Sequence, residues 1–197
     1  MTNNITLEQD KSLVSVYADG FLAFSVHKSI IEKYKIKNGD IIDDGELENL
    51  RRKCLYEHYL GRANYLLSLK DYCKKALIKK LGDDTEIAAE VTEYLVCRGF
   101  VNDERYAENR AINLKNSKKS DSVILYTLRQ EGLSADTAQK AVDSLESDNI
   151  TELTVLIKSK YASKLGAENG KRKVTDALIR RGYSYSDIKE ALENFSE

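Results

Sequence analysis

Apolar positions recur along this chain with two different periods. Over residues 12–26 they alternate, with Leu13, Val14 and Val16 before Asp19-Gly20 and Phe21, Ala23 and Phe24 after it. Period-two alternation around an Asp-Gly pair, which accepts positive φ, predicts a two-residue β-hairpin. Ser29 to Tyr34 predicts a short helix, Lys37-Asn38-Gly39-Asp40 a second turn, and Ile41-Ile42 a third strand. From about Glu46 onward the period becomes helical. Apolar residues then repeat at fixed offsets from polar caps: Ile87, Val91 and Tyr94; Ala138, Val142 and Leu145; Ile188, Leu192 and Phe195.

Three glycines organise that helical part. Gly82, Gly132 and Gly182 stand 50 residues apart. Each follows a basic or polar helical run (Ile78–Leu81, Leu128–Glu131, Leu178–Arg181), and each is followed by an N-cap, Asp83, Ser134 or Ser184. Gly132 suits the C′ position of a helix, with Leu133 placed to meet Leu128. Gly182 with Tyr183 and Leu178, and Gly99 with Phe100 and Leu95, repeat the arrangement. Gly82 departs from it, because Asp83 supplies no apolar contact. Three copies of one unit define a repeat architecture.

The expected fold is therefore mainly α. Three tandem three-helix repeats, residues 48–101, 102–150 and 151–197, form an elongated curved helical array behind a small β-containing N-terminal module, residues 1–47. In the middle repeat Asn102 or Asp103, Ser120 and Ser134 cap the three helices. The links 116–120 and 166–171 are polar, basic and expected to be exposed turns.

Composition changes this picture little. Proline is absent from the 197 residues, which favours long uninterrupted helices. The net charge of −1 is unevenly spread: residues 134–152 run at −4 and residues 158–181 at +6. The three cysteines, Cys54, Cys73 and Cys97, form no CxxC, and an odd count argues against a disulfide framework. With no secretory signal and no apolar run near 20 residues, the chain is expected to be soluble and cytoplasmic, without membrane association.

Candidate chemistry is sparse. His27 and His58 are the only histidines; Cys54 and His58 stand i, i+4 on a helix, and no second ligand pair follows, so a packed thiol and imidazole outweigh a metal site. No phosphate loop, nucleophile elbow or zincin motif occurs. Asp43-Asp44 and Asp83-Asp84 fit helix capping better than acid–base work. No catalytic residue, metal or cofactor is expected, and the chain is not read as an enzyme.

The cations are the candidate site. Lys79-Lys80 and Arg180-Arg181 end helices, where cations offset the dipole. Lys118-Lys119 and Lys171-Arg172-Lys173 fall in links ahead of helices, where the dipole prefers anions. They point either to an anionic partner or to a solvated surface. Tyr94, Tyr106 and Tyr126 sit at helical spacing and are expected in the core.

The stretch Arg98-Gly-Phe-Val-Asn-Asp-Glu-Arg-Tyr-Ala107 resembles the signature of the RecX family, regulators of the bacterial RecA recombinase. That pattern is a Gly-aromatic pair, one or two variable residues, an Asp, then Arg-aromatic-Ala. The three-unit organisation is also similar over about residues 48–196. Tyr17-Ala18-Asp19-Gly20 and Lys37-Asn38-Gly39-Asp40 resemble an N-terminal extension of some members. The resemblance implies a non-enzymatic protein that docks along the groove of a RecA–single-stranded DNA filament and inhibits recombinase, ATPase and coprotease activity, most simply as a monomer. The expected partner-binding residues are the cations Arg105, Arg110, Lys118, Lys119, Arg129, Lys171, Arg172, Lys173, Arg180 and Arg181, with single- or double-stranded DNA as a further partner. The basic block also leaves open a helical nucleic-acid-binding module, and the helical units a protein-interaction scaffold.

Overall fold

The computed structural model describes residues 1–145 and 149–196; Glu146, Ser147, Asp148 and Glu197, at the ends of the second and third expected repeats, lie outside them. The chain divides into two compact units, Met1–Val101 and Asn102–Glu197.

In the first unit, β1 (Thr2–Asp10), β2 (Leu13–Ala18), β3 (Phe21–His27) and β4 (Ile41–Asp43) form an antiparallel sheet in the order β3-β2-β1-β4. Asp19 (φ 48°) and Gly20 (φ 83°) make the hairpin turn with both central residues at positive φ, as their sequence predicts. Val14, Val16, Phe24 and Val26 face the core, and α1 (Lys28–Tyr34) and α2 (Asp44–Leu69) pack against the sheet. β1 is not legible in the sequence: among its nine residues only Ile5 is buried, and its pairing with β2 and β4 makes the expected third strand the fourth.

Helix α2 starts at Asp44, two residues before Glu46, because Asp43 accepts the Glu46 N–H at 2.9 Å and acts as the cap. It packs on α4 (Thr85–Cys97), with α3 (Lys74–Leu81) between them in sequence. The α4 cap is Asp84, not Asp83: Asp84 accepts the Ile87 N–H at 3.1 Å. Gly82 is extended (φ 167°), so its role is spatial, since the Tyr59 phenol occupies the place a Cβ would take.

The second unit continues the helical pattern. Helices α5 (Asp103–Asn116), α6 (Asp121–Glu131) and α7 (Ala135–Asp143) are followed by α8 (Asn149–Leu156), a π-helical turn (Ile157–Tyr161), α9 (Ala162–Leu165), α10 (Gly170–Ile179) and α11 (Tyr185–Ser196). The same association of first and third helices recurs: α2 on α4, α5 on α7, α8 on α11. Asn102 caps α5, Ser120 caps α6, Ser134 caps α7, and the Asp187 N–H donates to Ser184 Oγ at 3.1 Å. Gly132 (φ 108°) and Gly182 (φ 90°) adopt the left-handed conformation their position requires. Leu133 and Tyr183 donate their N–H groups to the Leu128 (3.2 Å) and Leu178 (3.3 Å) carbonyls, and both side chains are buried.

Tyr94 and Tyr126 are exposed, not core: Tyr126 lies midway between the buried Ile124 and Leu128 and so points the other way, while Arg98 stacks on the Tyr94 ring at 5.4 Å. Tyr106 is half-buried. Lys171, Arg172 and Lys173 do not lie in a link but in the first turn of α10, so they are not equivalent to Lys118-Lys119. The chain turns at Asn169 (φ 58°), and the Gly170 N–H donates to the Ala167 carbonyl at 2.8 Å, so the helix starts ahead of the cations.

Candidate functional site

The ten cations expected to bind a partner fall into two groups. Three, Arg110, Arg181 and Lys118, are engaged inside the second unit, and a fourth, Lys119, is half-buried there. Arg110 on α5 meets Glu131 on α6 through Nε (2.9 Å) and Nη2 (2.7 Å), and the Tyr106 hydroxyl donates to the same carboxylate at 3.0 Å. The hydrogen bond to Glu131 raises the pKa of an already charged guanidinium. Arg181 donates through Nη1 to the Ser117 (3.0 Å) and Lys118 (3.2 Å) carbonyls, closing the end of α5. Lys118 pairs with Glu152 at 2.7 Å, and Lys119 is half-buried beside it.

Arg105, Arg129, Lys171, Arg172, Lys173 and Arg180 are exposed. Arg129 and Arg180 close α6 and α10, where a cation complements the helix dipole. Lys171, Arg172 and Lys173 open α10, which has no acidic residue in its first turn, and among the described residues none of the three has an ion-pair partner. The contrast between two arginines is testable. Arg110→Ala is expected to lower stability by about 1 kcal/mol or more, because Glu131 loses a bidentate partner. Arg129→Ala is expected to stay within about 0.5 kcal/mol. Thermal melts of the two variants check this; equal melting temperatures would contradict it.

A second feature was missed from sequence. Lys171, Arg172, Ile179, Tyr185, Lys189 and Leu192 line a groove of about 840 Å³ between α10 and α11. Ile179 and Tyr185 are 48% and 68% exposed there, over a floor that includes the buried Ile188. Comparison of the repeats at the fifty-residue offset carries the signal: the middle repeat has Arg129 where the last has Ile179, and Ala135 where it has Tyr185.

In the first unit, His27 and His58 share a cavity of about 660 Å³ with Ser29, Glu57 and Arg62. The His27 N–H donates to His58 Nδ1 at 3.3 Å, which requires that nitrogen to be unprotonated. Burial, with Arg62 and His27 adding to it, lowers the His58 pKa, and burial pushes the Cys54 thiol up to about 12. Among the described residues no group of three His, Cys, Asp or Glu side chains could hold a metal ion. Because the folded state favours the neutral imidazole, its contribution is complete above the ordinary histidine value of 6.5 and is lost as pH falls through and below it. The melting temperature is expected to fall between about pH 7 and about pH 5, and less steeply for His58→Gln. Identical pH profiles for the two proteins would contradict the assignment. No helix among the described residues is long and apolar enough to cross a membrane.

No family model matches the chain. It is 26% identical over 195 residues to regulatory protein RecX of Streptococcus uberis, covering 96% of this chain and 76% of that protein. To regulatory protein RecX of Clostridioides difficile it is 27% identical over 205 residues, covering 97% and 96%. Two crystal structures share the fold. One, of a regulatory protein RecX, has TM-score 0.64 and 18% identity and covers 97% of this chain and 99% of that one. The other, RecX from Lactobacillus salivarius, has TM-score 0.61 and 19% identity and covers 72% and 97%. The resemblance first carried by Arg98–Ala107 therefore extends over nearly the whole chain, in sequence and in fold, and the family this chain resembles is that of the RecX regulatory proteins.

Proposed function

We propose that the chain docks on the filament that a RecA-type recombinase forms on single-stranded DNA. There it restrains ATP hydrolysis, strand exchange and coprotease activity without chemistry of its own, acting as a cytoplasmic monomer. One observation carries this reading: similarity to RecX regulatory proteins over nearly the full chain, with the Arg98–Ala107 motif inside the matched region. Physical chemistry supports it. Helical units in tandem offer extended surface to a polymeric partner and sum several weak contacts along it. In the second unit the exposed cations Lys171, Arg172, Lys173 and Arg180 are available for such contacts.

The test is co-sedimentation with recombinase–DNA filaments, against DNA alone and recombinase alone. Enrichment with the filament over both controls is expected; equal recovery with DNA alone would replace the reading. The cations opening α10, without an ion-pair partner among the described residues, favour one second reading, a nucleic-acid-binding module. Salt separates the two. Phosphate-dominated binding weakens steeply with ionic strength, and docking with apolar anchors weakens less.

A further inference from the structure

The groove between α10 and α11 is built unlike a solvated helix pair. Large apolar side chains on exposed helix surfaces are ordinarily isolated. Here Ile179 (48% exposed) and Tyr185 (68% exposed) line one groove, continuous with Leu192 and with the buried Ile188 beneath. The middle repeat carries no large apolar side chain at either position, having Arg129 and Ala135 there, so the repeat itself does not demand them.

The charges are polarised along the groove. Lys171 and Arg172 stand at the start of α10, where the dipole adds positive potential, and neither has an ion-pair partner among the described residues. Asp176 offsets them one turn further on. On α11, Lys189 and Glu193 form a loose pair at 3.8 Å, which leaves the excess positive charge at the α10 end. The two helical walls and the exposure of Ile179 and Tyr185 along them leave the groove open to a helix laid lengthwise, where a small-ligand site would enclose its occupant.

We infer that this groove docks an amphipathic helix of a protein partner, with bulky apolar anchors on one face over Ile179, Tyr185 and Leu192 and carboxylates at the end beside Lys171 and Arg172. Ile179 and Leu192 are aliphatic and offer a base no ring to stack on, which sets this occupant apart from a nucleic-acid strand. The inference rests on the regulatory reading only for the partner being a protein, and it adds the chemistry of the contact.

The probe is a labelled synthetic helical peptide with Leu at i, i+4 and i+7 and Glu at one end, measured by fluorescence anisotropy against the full chain. The same peptide with Lys for Glu, and a single-stranded oligothymidine, serve as competitors. The wild-type chain is expected to bind the acidic peptide at least about tenfold more tightly than the basic one. The double variant Ile179→Ser/Tyr185→Ser is expected to lose about tenfold or more in affinity, and both sites are exposed enough to leave the core intact. Lys171→Glu/Arg172→Glu gives an independent arm, since carboxylates are favoured in a first helical turn and the fold is retained; it should reverse the preference toward the basic peptide. Equal binding of the two peptides, displacement of the acidic peptide by the oligonucleotide at comparable concentration, or unchanged binding by both variants would each overturn the inference. Recombinase inhibition, followed in parallel, is read separately. Peptide binding without inhibition overturns the regulatory reading and supports the groove's chemistry. Inhibition without peptide binding overturns the groove alone.

Discussion

Gly182→Val is expected to destabilise the second unit by about 3–5 kcal/mol, from three effects that act together. Gly182 sits at φ 90°, where a side chain costs about 1–2 kcal/mol. A Cβ there would also collide with the Val123 side chain and come within 2.7 Å of Ser120 Oγ, an overpacking of about 1–3 kcal/mol. The same Ser120 hydroxyl donates to the Gly182 carbonyl at 2.7 Å, and the Ser120 N–H donates to the Arg181 carbonyl at 3.3 Å, so the collision also strains the join between the 117–120 link and the end of α10. At about 4–8 °C per kcal/mol for a unit of this size, the melting temperature should drop by more than about 12 °C. Gly132→Val shares at least the backbone cost, at φ 108°, and should melt clearly below the exposed control Gln130→Ala. Equal melting of the Gly182 and Gln130 variants would show that the C′ assignment is wrong.

Replacing Lys171, Arg172 and Lys173 together by Ser should weaken filament binding by about two orders of magnitude and leave folding intact. Each exposed contact contributes about 1 kcal/mol or less, and three of them sum to about 2–3. The three cations open α10, where they oppose the helix dipole, so their loss should leave the melting temperature unchanged or slightly higher. Lys118 is excluded from this set because it pairs with Glu152 at 2.7 Å, and its removal would confound binding with stability. The variant's binding should also depend less on salt. Wild-type affinity at physiological salt would return the three residues to a solvated surface.

The features legible in the sequence are those made by neighbours in the chain. Asp19-Gly20 forms its hairpin turn, Ser120, Ser134 and Ser184 cap their helices, and Gly99, Gly132 and Gly182 sit at positive φ, because each involves residues at most five apart. What was missed depends on partners far away in sequence. β1 is a polar segment held by pairing with β2 and β4. Arg110, Lys118 and Arg181 have the composition of a binding patch, yet their partners lie 21, 34 and 63 residues away and hold them in the second unit's own framework. The π-helical turn Ile157–Tyr161 has no sequence marker. At the α10–α11 groove, exposure separates Ile179 and Tyr185 from the apolar stripe beside them, and in the sequence only the comparison with Arg129 and Ala135 of the middle repeat marks them.

The proposed regulation of a recombinase filament is open to one direct test. The most direct measurement is the single-stranded-DNA-dependent ATPase of a bacterial recombinase, followed while this protein is added from well below to well above the recombinase concentration. The expected result is a fall in the hydrolysis rate beginning at substoichiometric protein and accompanied by loss of strand exchange. An unchanged ATPase rate at saturating protein would contradict it.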